Sequence, residues 1–293
     1  KVGQILGRHL GLGHGLAGRH GLFLMPRLGK GRAFALALGE IAVGLGAGEG
    51  AGGIGRAIAD AFVAAGHDVW VTDVSAGAIA ALPDTIRGDV VDVSDEAQMA
   101  AFFAKLEAVW GGLDVLCANA GTKGPTARVA EIALEDWRAC LAVCLDGAFL
   151  AAKFASPMME RQRSGVVIFT SSTAGAYGYP NRAPYAAAKW GMHGLMKTVA
   201  MELGPFGVRA NAILPGSVEG PRMEAVLEAE AKAKGMTRDQ VYEGYAKGTS
   251  MQSFVEARDI ANMALFLASD AARFVSGQMI AVDGHTVNPD PQV

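Results

Sequence analysis

From Ile41 onward, short unbroken apolar runs alternate with stretches in which apolar residues recur every three to four positions. Runs such as "HDVWVTD" (67–73), "GVVIFTSS" (165–172) and "VRANAILPG" (208–216) lack the polar alternation of a half-exposed strand. They read as strands buried on both faces. The same pattern predicts strands over "IAVGLG" (41–46), "LDVLCANAG" (113–121) and "QMIAVDG" (278–284). Helices are predicted over 54–65, 96–110, 134–162, 185–204 and 256–268, the second carrying Phe102, Phe103, Leu106 and Trp110 on one stripe. Strand and helix in turn imply βαβ units, hence an α/β fold with a doubly wound parallel sheet in a single domain. A polar, helix-prone segment at about 217–250 breaks this rhythm and reads as a helical lid. Its Met223, Met236, Tyr242 and Tyr245 suit a pocket wall and internal packing equally. The domain is expected over 36–293. Residues 1–35 read as an extension of little chemistry, with Lys1, Arg8, Arg19, Arg27, Lys30 and Arg32 but no acid before Glu40.

Composition narrows the partners. The chain is 51% hydrophobic and 19% charged, with a net charge of −3. That balance has no basic surplus to neutralise a phosphate backbone, so nucleic acid is not an expected partner. No apolar run approaches the roughly 18 residues of a membrane span, the 139–155 segment being broken by Asp146 and Lys153. Three cysteines, Cys117, Cys140 and Cys144, suit a reducing cytoplasm better than a disulfide framework. Cys140 and Cys144 stand four apart on one helix face, a packing pair rather than a metal site, and no metal is expected.

The stretch "GAGEGAGGIGRAIA" (46–59) packs six glycines into ten residues before a helix-forming run. Between a strand and a helix, such a turn lets backbone N–H groups and a helix amino terminus hold a diphosphate, the Rossmann-like arrangement. Gly53, Ile54 and Gly55 are the candidate cradle. Asp73 ends the next strand 18 residues after Gly55, where a carboxylate accepts from the adenosine ribose hydroxyls and repels a 2′-phosphate. No Arg or Lys lies in the loop before Gly55 or directly after Asp73, so NAD is expected rather than NADP. Glu49 fits this reading worst and is placed outward, away from the diphosphate.

A second constellation lies in "SSTAGAYGYPNRAPYAAAK" (171–189). Ser172 ends a buried strand, and Tyr185 and Lys189 are one helical turn apart, so their side chains share a face. A phenol of pKa about 10 is a poor base at neutral pH. A nearby ammonium and an oxidised nicotinamide favour its phenolate. Ser172 can hydrogen-bond a substrate oxygen.

Taken in order, these motifs resemble the short-chain dehydrogenase/reductase family in its one-domain form. The resemblance spans about 41–284 and rests on "GGIG" (52–55), "DVSD" (92–95), "NAG" (119–121) and Ser172 thirteen residues before Tyr185. Tyr185-xxx-Lys189, "PGSV" (215–218) and "SGQMIAVDG" (276–284) complete it. It implies an NAD-dependent interconversion of a secondary alcohol and a ketone, with Tyr185 as general acid/base and Lys189 on the nicotinamide ribose. It places Asp92 and Val93 at the adenine, and Asn119, Ala120 and Gly121 beside the adenosine. Pro215, Gly216 and Val218 would line the nicotinamide, and the long helices would build a homotetramer. The alternatives are a 3-oxoacyl thioester reductase, which Asp73 argues against, and a non-catalytic dinucleotide binder. Three departures favour the latter. Gly48 and Glu49 stand where the family has threonine and glycine, leaving Gly48 the first glycine's role. Cys144 replaces a catalytic asparagine, and a thiol cannot supply a carboxamide's paired donor and acceptor. The water relay to Lys189 is therefore expected to be weakened and catalysis slow. Gly220 stands where a threonine commonly touches the nicotinamide amide.

Overall fold

The computed structural model describes residues 34–37 and 53–290. Seven strands form one all-parallel sheet: β1 (Phe34–Ala37), β2 (Val69–Asp73), β3 (Ile86–Val90), β4 (Val115–Ala118), β5 (Gly165–Thr170), β6 (Val208–Pro215) and β7 (Met279–Val282). Their order is β3-β2-β1-β4-β5-β6-β7. The order reverses between β1 and β4, which are hydrogen-bonded neighbours, with Phe34 opposite Val115. The connections are helical: α1 (Ile54–Ala64), α2 (Ala76–Ala80), α3 (Glu96–Trp110), α4 (Leu134–Leu141), α5 (Gly147–Gln162), α6 (Ala183–Leu203), α7 (Pro221–Lys234), α8 (Arg238–Lys247) and α9 (Ala257–Ala268). The sheet belongs to a single compact unit, Gly31–Val293. The predicted doubly wound architecture holds.

Both faces of the sheet are covered, which is why its central strands read as apolar without alternation. All residues of β2, β4 and β5 are buried. One face packs Leu116, Val167 and Phe169 against Phe102, Leu106, Met159 and Met196 of α3, α5 and α6. The other packs Val71, Cys117 and Ile168 against Ile58, Phe62, Ile260 and Leu267 of α1 and α9. Each fully buried large side chain contributes about 1.5–3 kcal/mol from removal of its apolar surface from water. Asp95 caps α3 by accepting from Ala97 N and Gln98 N at 2.9 and 3.0 Å, and left-handed Gly111 ends it.

Four expectations need correction or placement. The strand between β2 and β4 is Phe34–Ala37, whereas the pattern put the first strand at 41–46, a stretch outside the described residues. A domain boundary at 35 accordingly cuts that strand. The apolar pattern also predicts no helix at Ala76–Ala80, where a single turn forms, capped by Ser75. Finally, α4 and α5 run together through a π turn at Ala142–Asp146 into one helical stretch, Leu134–Gln162. By length and composition alone that stretch could cross a membrane, contrary to the expectation from Asp146 and Lys153. Here it lies on the sheet, with Leu150, Ala151, Ala155 and Met159 in the core. The segment expected to form a lid folds as the pair α7 and α8, packed on each other through Leu227, Ala231, Val241 and Tyr245.

Candidate active site

One cleft opens at the carboxyl ends of the strands, beside the point where strand order reverses, as ligand sites in such sheets do. It joins Gly53, Ile54 and Gly55 at the start of α1 to Ser172, Tyr185 and Lys189. Asn119, Pro215, Gly216 and Val218 also line it, and α7 and α8 contribute Arg222, Met223 and Tyr245. The two motifs, more than a hundred residues apart in sequence, face one space.

The amino end of α1 has the character an anionic group requires. Gly53 caps it without a side-chain hydrogen bond, and its first turn holds no acid. Among the described residues no side chain caps its leading N–H groups, and there the helix dipole favours negative charge. Gly216 follows β6 so closely against the end of β7 that a Cβ there would stand 2.8 Å from Asp283 Cα. The start of α1 therefore fits an anionic group such as a diphosphate. Gly48 and Glu49 lie outside the described residues.

Asp73 is buried at the end of β2, with Oδ1 accepting from Ser75 N at 2.7 Å. It stands at the carboxyl end of β2, as the sequence predicts, and is not among the residues that line the cleft. Asp92 follows β3 and binds the backbone and hydroxyl of Ser94 at 2.9 and 2.7 Å. Val93 is buried against Gly147, where a Cβ would come within 2.8 Å of its Cγ2. Ala120 is buried and Gly121 lies beside Cys144 Sγ and the Arg222 guanidinium.

The catalytic candidates come from two elements. β5 ends at Thr170 and delivers Ser171 and Ser172, and Ser172 Oγ accepts from Ala174 N at 3.1 Å. Pro184 suits the first turn of α6, where an N–H would lack a helical partner anyway. One turn then separates Tyr185 from Lys189. Lys189 is 2% exposed, donates to the Thr170 carbonyl at 2.6 Å, and places Nζ 5.7 Å from the Tyr185 ring centroid. A buried ammonium is costly unless hydrogen-bonded; the carbonyl at the end of β5 supplies that bond and fixes its aim.

Two other phenols reach the cleft, Tyr179 and Tyr245. Burial pushes Tyr179 up to about 12. Burial, and then the neighbouring Glu230 carboxylate, push Tyr245 up as well. Both stay protonated across the neutral range and neither is a base there.

Several neighbours were missed by sequence reasoning. Ser171 Oγ meets His193 Nε2 at 2.7 Å and the Lys189 carbonyl at 3.3 Å, tying β5 to α6 behind the site. Burial, with Lys189 and Lys197 nearby, lowers the His193 imidazole below its ordinary range, so it stays neutral. Arg182 and Arg222 place their guanidinium carbons 4.9 and 5.9 Å from the Tyr185 ring centroid. The i, i+3 spacing of Arg182 to Tyr185 was a usable signal for the first. Of the four lid residues, Met223 and Tyr245 line the cleft, while Tyr242 stacks on Phe254 at 4.3 Å and Met236 packs inside the lid.

Cys144 sits within the π turn, fully buried beside Cys140, Ala188 and Tyr185. Its Sγ accepts from Thr122 N at 3.3 Å and meets Thr122 O at 3.5 Å. The Cys140 hydrogen bond, and then the Lys189 ammonium and the Thr122 N–H, draw its thiol below the ordinary range. Among the described residues, no cluster of His, Cys, Asp or Glu is placed to hold a metal.

A doubly wound sheet with a glycine-led helix and this cleft at its switch point is a Rossmann-type, dinucleotide-binding architecture. A family model described as enoyl-(acyl carrier protein) reductase matches residues 50–285. The trans-4-hydroxycyclohexanecarboxylate dehydrogenase of Sinomonas cyclohexanicum is 36% identical over 248 residues, 79% of this chain and 88% of that protein. The 3-oxoacyl-[acyl-carrier-protein] reductase FabG of Thermotoga maritima is 33% identical over 244 residues, 81% and 94% respectively. Among solved structures, NAD+-bound xylitol dehydrogenase superposes with a TM-score of 0.79 at 26% identity, covering 87% of this chain and 100% of that one. The chain belongs to the short-chain dehydrogenase/reductase family. It is an oxidoreductase of the kind that acts on alcohols and ketones, and the family's dinucleotide-binding fold implies NAD or NADP.

Proposed function

We propose that this protein is an NAD-dependent oxidoreductase that interconverts a secondary alcohol and a ketone, with Tyr185 as the general acid/base. The observation that carries this reading is the single cleft joining Tyr185, Lys189 and Ser172 to the amino end of α1. When bound, the nicotinamide supplies the acceptor or donor of hydride. The chain does the rest. The backbone of Gly53, Ile54 and Gly55 holds the diphosphate, and Pro215, Gly216 and Val218 wall the nicotinamide. Ser172 Oγ holds the substrate oxygen. Tyr185 accepts the hydroxyl proton as the carbonyl forms and returns one in reduction. Lys189, anchored on Thr170, supplies the positive charge that steadies the ionised phenol.

The choice of NAD rests on Asp73 at the end of β2. A panel of secondary alcohols run with both cofactors tests the function and the choice together. Alcohol-dependent reduction of NAD is expected, with kcat/KM above that with NADP. No reduction of either cofactor across the panel would refute the enzyme reading, and a preference for NADP would refute the role of Asp73. Thioester reduction is the second reading, favoured by the likeness to the Thermotoga maritima reductase; 3-oxoacyl thioesters belong in the same panel.

Replacing Cys144 with asparagine is expected to raise kcat several-fold, because a carboxamide can pair with both Thr122 N and Thr122 O and still support a water toward Lys189. Steady-state kinetics check this; an unchanged kcat would mean that the proton path to Lys189 does not use this position.

The cytoplasmic setting and the homotetramer belong to the same reading. Phe149 of α5 and Trp190 and Met201 of α6 are large apolar side chains left exposed, as an assembly interface requires.

A further inference from the structure

Arg182 is 6% exposed and lines the cleft, yet its guanidinium makes no hydrogen bond among the described residues. Its Nε is buried with no partner. The nearest carboxylate, Glu230, stands 3.8 Å from Nη1, an ion pair without hydrogen-bond contact. Glu230 is already held elsewhere, accepting from Tyr245 Oη at 2.7 Å and facing Lys234 Nζ at 3.5 Å. A buried guanidinium with unused donors is costly, and a planar, bidentate anion is the group that best removes that cost.

Arg222 reinforces the site from the lid. It makes no hydrogen bond or ion pair among the described residues, and its guanidinium also faces the Tyr185 ring. Of the other charges on the cleft wall, Arg56 pairs with Asp60 at 2.9 Å, Glu219 keeps its charge while accepting from the Tyr242 hydroxyl, and Lys189 keeps its charge on the Thr170 carbonyl, so cations outnumber carboxylates there. The net charge near the phenol is therefore positive. The guanidinium carbons stand 4.9 and 5.9 Å from the ring centroid, so an anion held by either arginine lies beside the phenol.

We propose that Arg182 and Arg222 form a carboxylate pocket beside Tyr185, so that the substrate is a hydroxy acid and its product a keto acid. This rests on the alcohol-oxidoreductase reading for the turnover, but the pocket itself is open to a binding test. Cyclohexanecarboxylate and cyclohexanecarboxamide, neither of which carries a hydroxyl to oxidise, are titrated into the full-length protein and its variants by calorimetry. The carboxylate is expected to bind about tenfold or more tighter than the carboxamide, in line with hydrogen bonds to charged groups. In Arg182→Gln and Arg222→Gln that ratio should fall toward unity, with partial recovery in Arg182→Lys. Because Arg182→Gln also leaves Glu230 less compensated, thermal melting accompanies each titration, and Arg222→Gln carries the test if Arg182→Gln unfolds. Equal affinity for the two probes, or a preference that survives in both glutamine variants, overturns the proposal. A loss of NAD binding in Arg222→Gln with the carboxylate preference intact would assign Arg222 to the cofactor and overturn its share. Carboxylate preference without turnover of any hydroxy acid would sink the enzyme reading and leave the pocket; turnover of neutral alcohols without that preference would do the reverse.

Discussion

Tyr185→Phe should lower kcat/KM by about 10²–10⁴-fold, the range for removing a positioned acid/base, while NAD affinity stays close to that of the parent protein. The variant deletes one hydroxyl and keeps the ring against which Arg182 and Arg222 pack, so the cleft walls remain. The other two phenols at the cleft cannot substitute, since burial holds Tyr179 and Tyr245 protonated. The informative comparison is kinetic constants beside cofactor titration. Loss of turnover with intact NAD binding places the defect in proton transfer. Turnover near the parent rate would remove Tyr185 from the reaction.

Lys189→Met carries the second large effect, an expected fall of about 10²–10³-fold in kcat, comparable to deleting one preorganised electrostatic contact. Its Nζ is buried, bonded to Thr170 O and 5.7 Å from the phenol ring centroid. Methionine fills similar space but brings no charge, and it leaves the Thr170 carbonyl without its 2.6 Å donor. Some loss of stability follows, about 1–3 kcal/mol for an unsatisfied buried acceptor. Lys189→Arg separates the two roles. It keeps a cation and donors on α6, so it should restore stability more fully than turnover, because a guanidinium is larger and shaped differently from the ammonium it replaces. Denaturant unfolding read beside kcat checks this; losses in strict proportion would mean that Lys189 acts only through the fold.

Both predictions start from features that were visible in the chain. The apolar runs over 67–73, 113–121, 165–172 and 208–216 could only be buried strands, and each contains the observed one. The spacing of Tyr185 and Lys189 fixes their common helical face whatever surrounds them. The first strand was harder. "FALALG" and "IAVGLG" are equally apolar and equally short, and periodicity cannot choose between them when a central parallel strand is needed. Tertiary pairing with β2 and β4 makes the choice, and it falls on Phe34–Ala37. The π turn at Cys144 was also illegible, since residue pattern alone does not register one extra residue within a helix.

In the site, the limit was different in kind. Arg182 lies three residues before Tyr185, but the carboxylate it faces, Glu230, is on α7, some fifty residues later. Ser171 and His193 meet only because β5 and α6 pack side by side. Asp73 reads as a ribose ligand from its place at a strand end, and the burial that turns it toward Ser75 is set by packing around it. Local chemistry could be read directly; charge balance across the cleft required the fold.

The central claim, direct hydride transfer within this cleft, is tested by isotope. A secondary alcohol deuterated at its carbinol carbon is incubated with the protein and NAD, and the reduced cofactor is weighed by mass spectrometry. One deuterium per reduced nicotinamide, and none with Tyr185→Phe, is the predicted result. Reduced nicotinamide without the label, or none formed with any alcohol that binds, would contradict the account.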